Sequence, residues 1–225
     1  MPFKGICKPY IIKQMTTTAI THVSTAELIE EFAGGQQSSV DMMIGVGLVK
    51  DSEAVFFQYT GEDANSAALM LPSGKPLTRL ANVKLAGIDI ATDVGEFNST
   101  KLNLYLESSQ GRVIMLTSGL NTIWSQCIVT GLMGLYGSYD LNSAFTLDSW
   151  KGTSKMKPCF AAIRVEGNKV SDQMFYDQLA DARADRDQAK VKAIMTDSVE
   201  MLKVAVSGVP ADIVVEETTP EKQDF

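Results

Sequence analysis

Aromatic and cationic residues alternate with apolar ones along three short segments of the chain. In FTLDSW (145–150) and CFAAIRVE (159–166) the apolar residues share one face of a strand, and KLNLYLES (101–108) alternates in the same way. Single-stranded nucleic acid binds to such a face, because bases stack on rings at about 1–3 kcal/mol each and Lys or Arg neutralises phosphates. The candidate nucleic-acid-binding residues are Lys101, Asn103, Tyr105, Arg112, Trp150, Lys151, Lys155, Lys157, Phe160 and Arg164.

The same face has a second interpretation. Antiparallel sheets often carry Tyr, Trp and Phe on a solvated surface without binding any ligand. In that case the rings are half covered by the C-terminal helix or by the N-terminal hairpin.

Residue types for enzymatic chemistry are sparse. His22 is the only histidine, which excludes paired-histidine metal sites, and SGKP (73–76) lacks the first glycine and the Ser or Thr of a phosphate loop. One group of carboxylates has the chemistry to hold a divalent metal for a nuclease, although turns favour acidic residues for conformational reasons alone. These carboxylates are Asp89, Asp93, Glu96 and Glu107. We therefore predict no catalytic residue, no metal and no cofactor.

The formal net charge of −7 is distributed unevenly. Residues 1–171 are nearly neutral, with 14 Lys and Arg against 15 Asp and Glu. Residues 209–225 hold one base against five acids. The acidic excess at the C-terminal end leaves the rest of the chain free to bind a polyanion.

The pattern between residues 77 and 167 predicts strand, strand, strand, helix, strand, strand. Its long first strand contains Gly87, which a sharply bent strand tolerates. This order and size resemble an oligonucleotide/oligosaccharide-binding (OB) fold, so we expect an α+β protein with an antiparallel OB-like β-barrel. A whirly-type sheet with helices is the alternative. The expected elements are strands at 77–92, 101–108 and 112–117, a helix at 119–136, and strands at 142–150 and 157–167.

The predicted elements divide the chain into four parts. The N-terminal extension contains a helix around 24–32 and a β-hairpin of 40–49 with 53–60. SDQMFYDQLADARADRDQAKVKAIMTDSVEMLKVAVSG reads as one long helix or two stacked ones. The parts are an extension at 1–76, an OB-like domain at 77–170, a C-terminal helix at 171–208 and a disordered acidic tail at 209–225.

The chain lacks the usual signals for export. MPFKGICKPY is not a signal peptide, and the apolar stretch at 127–136 is too short to cross a bilayer. The three cysteines are far apart and in no CxxC spacing, which favours reduced thiols. We therefore expect a cytoplasmic protein, in the host cytoplasm if its source is a virus, with no membrane partner.

The last ten residues of the sequence, EETTPEKQDF, form an acidic tail with a terminal phenylalanine. A barrel-like domain followed by such a tail resembles the single-stranded DNA-binding proteins of bacteria and of podovirus-type phages. The resemblance implies that the tail occupies the protein's own DNA groove and docks replication proteins through the terminal Phe and its carboxylate. These roles fall on Glu216, Glu217, Glu221, Asp224 and Phe225.

Together these features predict a non-enzymatic, sequence-nonspecific single-stranded DNA-binding protein of replication or recombination. Its expected partners are single-stranded DNA, replication proteins at the tail, and further copies of itself in an oligomer. Two alternatives stay open. A viral structural or assembly protein would oligomerise through the long helix and the apolar hairpin, and a metal-dependent nuclease would use the carboxylate group.

Overall fold

The computed structural model describes residues 40–48, 52–60, 65–95 and 98–207, all of which belong to one compact unit, 38–225. These residues form nine strands and three helices. The strands are β1 Val40–Val46, β2 Phe56–Thr60, β3 Asn65–Ala68, β4 Arg79–Val94, β5 Ser99–Ser108, β6 Val113–Gly119, β7 Phe145–Lys151, β8 Cys159–Val165 and β9 Asn168–Val170. The helices are α1 Ile123–Ser138, α2 Gln173–Ala184 and α3 Gln188–Ser207.

All nine strands belong to one sheet, in the order β3-β2-β1-β6-β5-β4-β7-β8-β9. The neighbours pair antiparallel except for β1 and β6, which are parallel. The two edge strands, β3 and β9, do not pair with each other, so the sheet is open among the described residues. The α+β class is confirmed. The closed OB-like barrel is not confirmed, because a barrel requires its edge strands to hydrogen-bond.

Two polar contacts link distant parts of this open sheet. Lys151, the last residue of β7, donates a hydrogen bond from Nζ to the carbonyl oxygen of Ser52 in the β1–β2 loop. In the loop after β7, Lys157 Nζ lies 3.1 Å from Glu53 Oε1. Side-chain contacts therefore connect the β1–β2 loop to the β7–β8 region.

The strand-strand-strand-helix-strand-strand order predicted for residues 77–167 is confirmed, with β9 as an additional short strand. Helix α1 begins at Ile123, later than predicted. The Oγ1 of Thr122 accepts a hydrogen bond from Ser125 N at 3.2 Å and caps the helix, while Gly119 still belongs to β6.

The C-terminal helical segment, predicted to be either one long helix or two stacked ones, is a pair of helices. Helix α2 ends at Ala184, and Arg186 in the connection has a φ of 56°, which no α-helix continues through. Asp187 Oδ1 then accepts from Lys190 N at 2.9 Å and caps the start of α3. The sequence alone did not decide between one helix and two, because RADRDQ is polar on every side.

The predicted hairpin of 40–49 with 53–60 is confirmed, since β1 pairs antiparallel with β2. Its strands continue the same sheet as β4 to β9. The helix predicted around 24–32 and the tail at 209–225 lie outside the described residues.

One face of the sheet carries the core. The register places Leu102, Leu104 and Leu106 on this face, fully buried in the core that the sheet shares with the three helices, and we call it the helix face. Trp124 on α1 packs into the same core, where its Nε1 donates to Ser149 Oγ at 3.0 Å. The opposite face carries none of the described helices, and we call it the open face. None of these helices combines the length and apolar character needed to span a bilayer.

Helix α1 approaches the chain after β9 very closely. A Cβ added to Gly134 would lie 2.5 Å from the carbonyl carbon of Ser171, whereas one added to Gly137 would meet no atom within 4 Å. We expect Gly134→Ala to lower the free energy of unfolding by about 1–3 kcal/mol through this clash. Gly137→Ala in the same helix should leave it unchanged or raise it by up to about 1 kcal/mol. Urea unfolding of both variants checks this, and equal effects would contradict the close approach.

Candidate nucleic-acid interface

A stacked pair of aromatic rings lies on the open face. Trp150 of β7 pairs with Phe160 of β8 in the strand register. The ring centroids are 6.0 Å apart with an angle of 18° between the planes, and Trp150 is 44% exposed. Both residues point away from the helices because their strand neighbours, Ser149 and Ala161, are buried on the helix face. The pair therefore offers an accessible ring surface on which a base can stack.

An ion cluster lies beside these rings. Asp148 Oδ1 is 2.6 Å from Arg79 Nε, and Asp148 Oδ2 is 2.9 Å from Arg164 Nε. The hydrogen bond from Arg79 holds the pKa of Asp148 below its ordinary value, helped by Arg164 and opposed by burial. The Asp148 side chain is 16% exposed, whereas Arg79 is 63% exposed. The carboxylate thus orients two guanidinium groups, and Arg164 also donates from Nη1 to Gly167 O at 3.1 Å. We call Arg79, Asp148, Trp150, Phe160 and Arg164 the tryptophan patch.

A second polar group occupies the open face on β4 and β5. Asp89 accepts hydrogen bonds from Asn103 Nδ2 at 2.9 Å and from the Tyr105 hydroxyl at 3.0 Å. Burial raises the pKa of Tyr105, and the charge and hydrogen bond of Asp89 raise it further. Lys101 lies on the same face of β5. We call these four residues the tyrosine patch. The Tyr105 side chain is held by its hydrogen bond to Asp89 and is partly buried.

The strand register separates the two patches. On β4, Arg79 lies opposite Asp148 and Gly87 lies opposite Tyr105. The two positions are eight residues apart, which corresponds to roughly 26 Å along a straight strand. Tyr105, Trp150 and Phe160 thus share one face, as predicted, but not one site.

Three of the other predicted cations, Lys151, Lys157 and Arg112, lie outside both patches. Lys151 is on the helix face, opposite Cys159, and reaches Ser52. Lys157 pairs with Glu53, and Arg112 Nε is 4.0 Å from Asp41 Oδ1 at an exposed site. Neither Lys101 nor Lys155 makes an ion pair with any residue that the structure describes.

Sequence reasoning missed two members of the tryptophan patch, Arg79 and Asp148. Asp148 has the same strand parity as Trp150, so strict alternation in FTLDSW contained the signal for it. Arg79 carried no such signal. It joins the patch only through the pairing of β4 with β7, which lie about 70 residues apart in the chain.

The carboxylates considered for a nuclease do not form a metal site within the described part of the chain, where no group of three His, Cys, Asp or Glu residues could hold an ion. Asp89 instead accepts hydrogen bonds from Asn103 and Tyr105. Glu96, His22 and the tail residues Glu216, Glu217, Glu221, Asp224 and Phe225 lie outside the described residues.

Comparison of the chain with protein-family models, with curated proteins and with solved structures gives no match. The comparisons therefore identify no family and no structural neighbour. Any functional conclusion depends on the chemistry of the open face and on the residues of the chain itself.

The shared carboxylate predicts a pH dependence of stability. Because the pKa of Asp148 is lowered in the folded state, its contribution is fully present above the ordinary pKa of an aspartate and is lost as the pH falls through the folded value. We expect Asp148→Asn to lower the free energy of unfolding by roughly 1 kcal/mol at pH 7. The difference from the wild type should vanish on acidification.

Chemical unfolding between pH 7 and pH 2 measures this difference. The control is Glu53→Gln, which removes an exposed ion pair and should change the free energy of unfolding by only a few tenths of a kcal/mol. A constant difference between wild type and Asp148→Asn across the pH range would contradict the assignment.

Proposed function

We propose that the protein binds single-stranded DNA without sequence specificity, in replication or recombination. The observation that carries the proposal is the stacked Trp150–Phe160 pair beside the guanidinium groups of Arg79 and Arg164 on a face free of the described helices. Rings that accept any base and cations that neutralise the backbone are the two requirements of sequence-tolerant binding.

Each side chain of the tryptophan patch has a role in this mechanism. A base stacks on the exposed surface of Trp150, which Phe160 supports from β8. Arg79 and Arg164 donate their free N–H groups to the neighbouring phosphate. Asp148 holds both guanidinium groups in place before DNA arrives, so less side-chain freedom is lost on binding.

Other cations extend the contact. Lys155, in the exposed loop beside Trp150, has no ion-pair partner among the described residues and is free to neutralise a phosphate. The tyrosine patch, with Lys101, Asn103 and Tyr105, provides a second contact further along the same face. We assign Lys151 and Lys157 mainly to holding the β1–β2 loop, since both are engaged there.

An open, curved sheet with all described helices on one face supports the whirly-type alternative over a closed OB barrel. Folds of both types bind single strands, so the proposed function does not depend on which of them holds. What the open arrangement adds is a continuous face shared by β4, β5, β7 and β8.

DNA binding is tested with fluorescence anisotropy of a labelled oligo-dT over a series of salt concentrations. We expect Trp150→Ala to weaken binding roughly tenfold or more, because one stacked base contributes about 1–3 kcal/mol. Lys155→Ala should reduce the salt slope by about 0.7. The matched control is Tyr136→Ala, an equally exposed aromatic residue on α1, which should bind as the wild type does.

Absence of salt-dependent binding by both the full chain and a truncation after Pro210 overturns the proposal. High-order oligomers without DNA affinity would instead favour the assembly protein, and cleavage of the oligonucleotide on adding magnesium or manganese would favour the nuclease. Binding that is insensitive to Trp150→Ala would place the interface elsewhere.

We also propose that the acidic tail competes with DNA for the open face and recruits replication proteins. Neutralising four carboxylates, by Glu216→Gln, Glu221→Gln, Glu217→Gln and Asp224→Asn in the full chain, should tighten oligo-dT binding at low salt. Screening should make the gain disappear at high salt. Lys222→Gln is the control and should weaken binding slightly or leave it unchanged. Unaltered affinity in the neutralised variant would exclude competition by the tail.

A further inference from the structure

A groove of about 220 Å³ opens at the far side of β8, between α1 and α2. Its walls come from four elements: α1 with Gln126 and Thr130, β8 with Ala161 and Ala162, β9 with Lys169 and Val170, and one side of α2 that includes Tyr176 and Arg183. It lies apart from the tryptophan patch, with which it shares no lining residue.

A free strand edge lines this groove. Strand β9 pairs with β8 only at Ile163–Val165, so Cys159–Ala162 have no backbone partner on that side among the described residues. The chain after β9 turns away to α1, where Asp172 N donates to Thr130 O at 3.0 Å. Ala161 and Ala162 present this edge directly to the groove. An unpaired edge of this kind accepts an extended peptide as an added strand.

The charges around the groove select the peptide. Lys169 and Arg183 line it, no acidic residue does, and neither cation has an ion pair in the described part of the chain. The Arg183 guanidinium lies over the Tyr176 ring, 5.7 Å from its centroid, and is held near the groove. A peptide with carboxylates at its ends therefore complements the groove electrostatically.

A buried acceptor points to the same site. Gln126 donates from Nε2 to Asn121 O at 2.9 Å, but its Oε1 is buried without a hydrogen-bond partner within the described structure. Buried side-chain acceptors are nearly always satisfied. A donor introduced with an added strand would satisfy this one after a small movement of the side chain.

We propose that this groove binds an extended peptide with β-branched residues flanked by carboxylates, and that residues 212–217 of this chain supply it. Their sequence, Asp-Ile-Val-Val-Glu-Glu, has three consecutive residues of high strand propensity between acidic ends. The segment begins five residues after Ser207, the last residue of α3. The inference does not depend on DNA binding, since it concerns a different surface. Glu216 and Glu217 occupy the groove and the open face in turn, not together.

Cys127 lies in the groove and makes a direct test available. In the full chain with Cys7→Ser and Cys159→Ser, we add Val214→Cys and oxidise mildly with copper-phenanthroline. We expect a disulfide between positions 127 and 214, and a non-reducing gel shows whether the same or a second copy supplies the segment. The matched control places the new cysteine at Asp224→Cys, outside the segment, and should cross-link at least tenfold more slowly.

Charge reversal at the groove gives an independent readout. Lys169→Glu combined with Arg183→Glu should slow the cross-link with position 214 at least tenfold, while circular dichroism verifies that the variant folds. A synthetic peptide Ala-Asp-Ile-Val-Val-Glu-Glu should compete with cross-linking in the parent protein.

Equal cross-linking of positions 214 and 224, or no effect of either charge reversal or peptide, overturns the proposal. Oligo-dT anisotropy on the same parent protein distinguishes this failure from a failure of the proposed function, since each measurement can succeed without the other.

Discussion

The sheet depends on one strand, β4, that joins its two parts. Its 16 residues pair with β5 over Val83–Val94 and with β7 over Arg79–Val83. Register shifts between Leu80 and Val83, and between Leu85 and Gly87, bend the strand, and Asn82 takes a φ of 54° at the first shift. Bulges increase local twist and redirect side chains. The bent strand therefore sets both the curvature of the sheet and the separation of the two patches on its open face.

Because the core lies on the helix face of the sheet, the open face can carry polar and charged side chains. Apolar residues of all three helices and of the leucine-rich helix face form one buried core, which supplies the hydrophobic stabilisation of the fold. The open face is then free to carry groups that a core would exclude, such as the Asp148 carboxylate between two arginines. Because this carboxylate is only partly buried, it keeps its charge and orients Arg79 and Arg164 without a large desolvation cost.

Local patterns were enough to predict most of the elements and the directions of their side chains, but not β3, β9 or the break between α2 and α3. Strict alternation correctly placed Leu102, Leu104 and Leu106 inward and Trp150 outward, and helical spacing placed Trp124 in the core. These features depend on residues two to four positions apart, which the sequence displays directly. The same alternation also implied that Lys151 faces away from Trp150, although the proximity of the two residues suggested a common site.

Long-range pairing could not be predicted in the same way. The parallel contact of β1 with β6, the approach of Arg79 to Asp148 and the engagement of Lys157 by Glu53 all join residues 69 or more positions apart. No local pattern specifies which strands become neighbours, and the predicted barrel required one more pairing than the sheet has. The topology of the central strands was therefore predictable, whereas closure and the grouping of cations were not.

Strands β1, β2 and β3 join the rest of the sheet at one place only among the described residues, and this has a consequence for the dynamics of the molecule. Among the described residues, their only ladder to the remaining strands is the parallel pairing of β1 with β6, supplemented by the hydrogen bond from Val113 N to Asp41 and the two lysine contacts of the β1–β2 loop. A unit held along a single line opens more cheaply than strands paired on both sides. We therefore expect the three strands to open as one unit at a lower free energy than β4 to β9, at the cost of removing Ile44, Val55 and Phe56 from the common core.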